Sequence, residues 1–176
     1  MPKRIPKKTL AGKLVLNQEQ TNPPSLGKLV AMEPGIYRGM NLQFRYPENW
    51  TISEETEEGQ TISVTAESPD SAFFAINRYR DSRGPQQVLD EAVQAMKSDY
   101  DEVEMEDASM EINKQTYPAQ LIRFYYLDLL VTCHFIAIQN GKETLLIHSQ
   151  AEDRDFDRLQ MVFKAMSQTL IESLAK

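Results

Sequence analysis

Residues 129–150 constrain the fold more than any other part of the chain. Leu129–Gln139 and Lys142–Gln150 are rich in β-branched and aromatic residues, and Asn140-Gly141 stands between them. Strands favour such side chains, and Asn-Gly suits a tight hairpin because both residues tolerate positive φ. A third run of the same character, Pro118–Leu127, precedes them across a short Leu127-Asp128 turn. Three long strands joined by tight turns must pair antiparallel, because a parallel pair needs a crossover of a dozen or more residues.

The rest of the chain extends this pattern. From Ile36 onward, Met40, Leu42 and Phe44 alternate with polar residues as a strand does. Tyr46-Pro47-Glu48-Asn49 reads as a turn. Thr51–Glu57 and Gln60–Glu67 read as a hairpin about Glu58-Gly59, and Ser71–Arg78 as a further strand. Pro85–Ser98 carries Val88, Leu89, Ala92, Val93 and Met96 as one apolar stripe at helical spacing, with Pro85 suited to the first helical position. Glu102–Met110 returns to strand. Asp153–Leu174 is a second amphipathic helix, with Phe156, Leu159, Val162, Phe163, Met166 and Leu170 on one stripe and acidic residues crowding its start. The order of strands, helix, strands, helix, linked mainly by hairpins, predicts an α+β domain around a mainly antiparallel sheet.

Charge divides the chain in two. Residues 1–35 carry six basic side chains against two acidic, a balance of +4, and hold five prolines that break any helical period. They read as an extended basic arm. Within it Gly-Lys-Leu-Val occurs twice, at Gly12–Val15 and Gly27–Val30. Residues 36–176 carry 13 basic against 24 acidic side chains, a balance of −11, and read as one domain that repels nucleic acid and anionic lipid. No run of about 18 apolar residues offers a membrane span, so no membrane insertion is expected. No apolar stretch follows the basic start as in a secretory signal, so a cytoplasmic location is expected.

Few residues could carry chemistry. Taking Asn140-Gly141 as the hairpin turn pairs Gln139 with Lys142, places His148 opposite Cys133 and His134 opposite Ile147, and puts the two histidines on opposite faces. That separation argues against a shared metal. A Cys133–His148 pair is the minimum for a nucleophilic thiolate, yet Cys133 lies in the row Leu129, Val131, Cys133, Phe135, Ala137, which reads as a buried core face. The other face places Arg123, Tyr125, Thr132, His134 and Ser149 among Leu121, Leu130, Ile136 and Ile147. With a short turn at Leu127-Asp128, Arg123 lies across from Thr132 and His134 from Leu121. This polar window, Arg123, Tyr125, Thr132 and His134, is the candidate binding site. The acidic stretch Asp99–Asp107 reads as an edge strand with a solvated face. No phosphate-cradling glycine loop, metalloprotease helix or nucleophile elbow is present, and no cofactor is expected.

Several of these features occur together in a known group. Phe44-x-Tyr46-Pro47-x-x-Trp50 opening the body, a helix after five extended segments, Tyr117-Pro118-Ala119 leading a strand, and a terminal helix resemble the PsbP-like superfamily over roughly residues 36–174. That group includes PsbP, the DcrB-type bacterial proteins, the Ran-binding nuclear import factor and the Eag-type chaperones of type VI secretion. The resemblance implies an α/β/α sandwich and a non-catalytic, chaperone-like accessory module whose partner is another polypeptide. A small-ligand-binding protein using the window, and more remotely a cysteine-dependent enzyme, are the alternatives.

Overall fold

The computed structural model describes residues 34–175. Strands β1 (Gly35–Gly39), β2 (Leu42–Tyr46), β3 (Thr51–Glu57), β4 (Gln60–Glu67) and β5 (Phe73–Tyr79) lead to helix α1 (Pro85–Asp99). Strands β6 (Val103–Ile112), β7 (Gln115–Tyr126), β8 (Leu129–Asn140) and β9 (Glu143–Glu152) follow, and helix α2 (Asp153–Leu174) closes the chain. Seven strands form one antiparallel sheet in the order β3-β4-β5-β9-β8-β7-β6, while β1 and β2 form a separate ribbon. This is the α+β sandwich that the hairpin pattern requires.

Each face of the sheet has its own cover. On one face, α2 and the β1–β2 ribbon pack over Val64, Phe74, Ile76, Ile136 and Ile147, with Trp50 and Phe163 in edge contact. On the other, Val88, Leu89, Ala92, Val93 and Met96 of α1 cover Ile122, Phe124, Val131, Cys133, Phe135, Ala137 and Leu146. The alternation of β7 and β8 supplies both cores at once, since neighbouring residues point to opposite faces. The ribbon is tied down by α2: the amides of Gln43 and Arg45 on β2 donate to Ser173 Oγ and Thr169 Oγ1 at 3.1 and 3.0 Å. Those hydroxyls satisfy backbone donors that would otherwise leave an open strand edge.

Three expectations are corrected. Of the alternation Met40, Leu42, Phe44 expected to form a strand, Leu42 and Phe44 lie in β2 but Met40 does not: Met40 and Asn41 both take positive φ, 55° and 58°, and turn the chain back on itself between β1 and β2. Positive φ at both central residues is the type I′ pattern, whose twist suits a hairpin. The edge strand runs to Ile112 rather than Met110, and Asn113 and Lys114 make another turn of this kind.

The third correction concerns register. Asn140 pairs with Glu143, so the turn is Gly141-Lys142 rather than Asn140-Gly141. Gly141 alone takes positive φ, 60°, as the first central residue of a type II′ turn does. The slip is two residues, so every side chain keeps its face while changing its partner. The turn at Glu58-Gly59 and the β7–β8 register lie where the sequence places them. The expected basic arm falls outside the described residues except for Pro34 and Gly35, and Gly35 already belongs to β1.

Candidate functional site

Strands β7 and β8 bring the four window residues onto the face that carries α2. Arg123 pairs with Thr132, Leu121 with His134 and Tyr125 with Leu130. His134 also pairs with Ser149 of β9. The window therefore lies at the β7–β8 hairpin end of the sheet, beside the first turn of α2.

Its polar groups are largely occupied. Thr132 is buried, and its hydroxyl donates to Asp153 Oδ1 at 2.6 Å. The Arg123 guanidinium stands 3.7 Å from the same carboxylate oxygen and 3.5 Å from Glu106 Oε2 on the edge strand. Asp153 also sits in the first turn of α2, where the helix dipole favours an anion. His134 is half-buried, and burial pushes its imidazole down to about 4, so it is neutral at physiological pH. The apolar rim is open to solvent: Tyr125 is 58% exposed and Leu127, at the hairpin tip, is 74% exposed. Leu127 also takes a φ of 54°, which a bulky side chain rarely adopts and which offers leucine no compensating local hydrogen bond.

The opposite face holds the thiol. In the corrected register Cys133 faces Gln150, and His148 faces Phe135. Cys133 is fully buried, and burial pushes its thiol far above the ordinary range, away from the thiolate a nucleophile needs. The His148 ring lies between Phe73 and Phe135, with centroids 4.9 and 4.4 Å away. Its Nε2–H donates to Gln150 Oε1 at 3.1 Å, and burial pushes it down to about 3. The Cys133–His148 pairing expected from the turn does not form. His134 and His148 lie on opposite faces, as the alternation requires. Among the described residues no group of three or more His, Cys, Asp or Glu side chains could hold a metal ion, and no helix is long and apolar enough to cross a membrane.

No family model and no curated protein matches the chain. Solved structures do. The solution structure of cyanobacterial PsbP (CyanoP) from Synechocystis sp. PCC 6803 aligns with a TM-score of 0.54 at 11% identity, over 85% of this chain and 96% of that one. The chain has a PsbP-like fold. PA94, a protein of unknown function from Pseudomonas aeruginosa, aligns at 0.47 and 13% identity over 78% and 95% of the two chains. LpqN, involved in cell envelope biogenesis of Mycobacterium tuberculosis, aligns at 0.44 and 12% identity over 79% and 82%.

Within this fold, three participants in the window escape a reading of residues alone. Asp153 was readable only as a helix-start acid. The pairing of Thr132 with Ala151, two residues earlier, is what carries it to the window. Glu106 read as a solvated edge charge, yet it reaches Arg123. Leu127 read as a turn residue with no sign of its backbone conformation. The domain also has a cavity of about 480 Å³ at the tip of the β1–β2 ribbon, lined by Arg38, Met40, Gln43 and Ser173 among others, at a different place from the window.

Proposed function

We propose that this PsbP-like domain is a non-catalytic accessory module that binds another polypeptide through the β7–β8 hairpin end of its α2-covered face. The observation that supports it is the pairing of an open apolar rim with a braced polar centre. Tyr125 and Leu127 stand exposed, while Arg123 is held between Asp153 and Glu106. An aromatic anchor beside an arginine suits protein recognition, because such side chains combine large contact area with directed hydrogen bonding. Leucine at positive φ costs about 1–2 kcal/mol, and its exposure means no core packing offsets that cost. A contact made in a complex would.

The buried thiol and the two neutral, separated histidines offer a nucleophilic mechanism little. The small-ligand reading rests on the same window residues and lacks an observation of its own there.

The test is affinity capture from source-cell lysate with the wild-type chain, Tyr125→Ala with Leu127→Asp, and a control, Gln160→Ala on α2. A protein captured stoichiometrically by the wild type and the control but lost from the double variant supports the reading. Equal capture by all three moves the site elsewhere, and no capture by any removes the reading for that cell state.

A further inference from the structure

The cavity at the tip of the β1–β2 ribbon has walls fixed from two sides. Met40 and Asn41 close the turn at positive φ, and the Met40 carbonyl accepts from the buried Arg78. Across the cavity, the Ser173 hydroxyl donates to the Leu170 carbonyl at 2.7 Å and accepts from the Gln43 amide at 3.1 Å, which pins β2 to the last turns of α2. Arg38 stands opposite Gln43 in the ribbon, and its Nε donates to Gln43 Oε1 at 3.2 Å. The guanidinium is thus oriented by a residue that is itself tied to the helix.

This arrangement leaves donors over. Arg38 is held by its inner nitrogen, so its two terminal amino groups, like the Gln43 amide nitrogen, have no partner among the described residues. Arg45 lies on the same exposed face of the ribbon, a diagonal neighbour of Arg38 within reach of a long side chain. Arg78, Arg80, Arg83, Arg123 and Arg158 each lie against a carboxylate. Among the described residues neither Arg38 nor Arg45 does. In a body whose balance is −11, these two neighbours make a local positive centre.

We propose that this cavity binds a small organic anion through its carboxylate or phosphate group, with Arg38 as the anchor. The outer edge of a guanidinium presents parallel N–H donors that match an oxyanion in a bidentate pair. The Gln43 amide adds a neutral donor beside them, and Arg45 adds charge at the rim. Met40 and Leu42 supply an apolar wall for the body of the ligand, and no acidic side chain lines the cavity to repel the anion. Its volume of about 480 Å³ falls within the roughly 300–1,000 Å³ of small-molecule sites. The site is separate from the window and does not rest on the polypeptide-binding reading.

The experiment is an NMR titration of the isotope-labelled full chain with butyrate and, separately, with butyl phosphate, at an ionic strength held constant with sodium chloride. Saturable shifts are expected at the backbone amides of Arg38–Gln43 and at the Arg38 Nε–H, with α1 unmoved. The probe that binds more tightly names the head group. Arg38 is exposed, so Arg38→Gln should fold normally and weaken that binding about tenfold or more, as the loss of charged hydrogen bonds does. Arg38→Lys keeps the charge without the fork and should fall between the two. Arg45→Gln should weaken binding less than Arg38→Gln. Shifts that grow linearly without saturating, or that Arg38→Gln leaves unchanged, would overturn the proposal. Equal shifts at the exposed Arg154 on α2 would also overturn it, by showing that the anions meet surface arginines without selection.

Discussion

The hydroxyl of Thr132 donates to the carboxylate of Asp153 at 2.6 Å, which fastens a central strand to the first turn of the helix that crosses it. A hydrogen bond to a charged acceptor contributes about 1.5–3 kcal/mol. Thr132 is buried, so Thr132→Val keeps the shape and removes only the donor. We expect this variant to be about 2 kcal/mol less stable by urea denaturation, with an unchanged dependence on denaturant. A loss near zero would show that Arg123 alone holds Asp153.

The histidines set a pH dependence. Burial lowers His134 to about 4 and His148 to about 3, whereas both titrate near 6.5 once unfolded. Below pH 6.5 the unfolded chain therefore binds protons that the native chain refuses. Stability is fully present above 6.5 and is lost as pH falls toward 4, with a limiting slope of about 2.7 kcal/mol per pH unit for two groups. His134→Gln should halve that slope between pH 6 and 5, as read from denaturation curves at each pH. An unaltered slope would mean that His134 charges freely in the native state.

A buried charge holds the ribbon to the sheet. The Arg78 side chain is only 4% exposed, its Nε lies 3.2 Å from Glu143 Oε2, and its terminal nitrogen donates to the Met40 carbonyl at the β1–β2 turn. Removing one partner of a buried pair leaves the other charge uncompensated at a cost of about 3–5 kcal/mol. Glu143 is partly exposed and also meets Arg80 at 3.2 Å, so Glu143→Gln should cost about 2–3 kcal/mol. Arg78→Met combined with Glu143→Gln should recover part of that loss. Strictly additive effects in the double-mutant cycle would show that the two side chains do not depend on each other.

Cys133 should be inert in the native state. Burial leaves it neither accessible nor ionised, and reactivity follows the thiolate. Iodoacetamide should modify the native chain far more slowly than the urea-unfolded chain, with the rate tracking unfolding. Native labelling as fast as a free thiol's would restore the enzyme reading.

Much of this architecture was legible because alternation and turn residues are local signals. The face assignments of Arg123, Thr132, His134 and Cys133 follow from parity, which survives a slip of two residues. The Cys133–His148 pairing did not survive it, because it depended on which two residues form the turn. Asn-Gly admits two answers, and Gly141-Lys142 satisfies the ladder with positive φ at a single residue. The break at Met40-Asn41 was hidden for a different reason: methionine does not advertise positive φ, and what holds the ribbon in place is distant, Arg78 on the sheet and Thr169 and Ser173 on α2. The bracing of Arg123 by Asp153 and Glu106 joins residues from a helix and an edge strand, a relation only topology provides.

Leu127 allows stability and binding to be separated. Its φ of 54° costs about 1–2 kcal/mol for a side chain with a Cβ, and glycine removes that cost while losing about 0.5–1 kcal/mol to the entropy of the unfolded chain. At 74% exposure almost no packing is given up. Leu127→Gly should therefore be stabilised by roughly 0.5–1 kcal/mol, seen as a higher denaturation midpoint. If the hairpin tip is the polypeptide-binding rim, the same variant should hold its captured partner less well despite being more stable. A variant that gains stability and keeps full capture would show that Leu127 is a strained turn residue with no part in recognition, and would leave Tyr125 as the anchor to test.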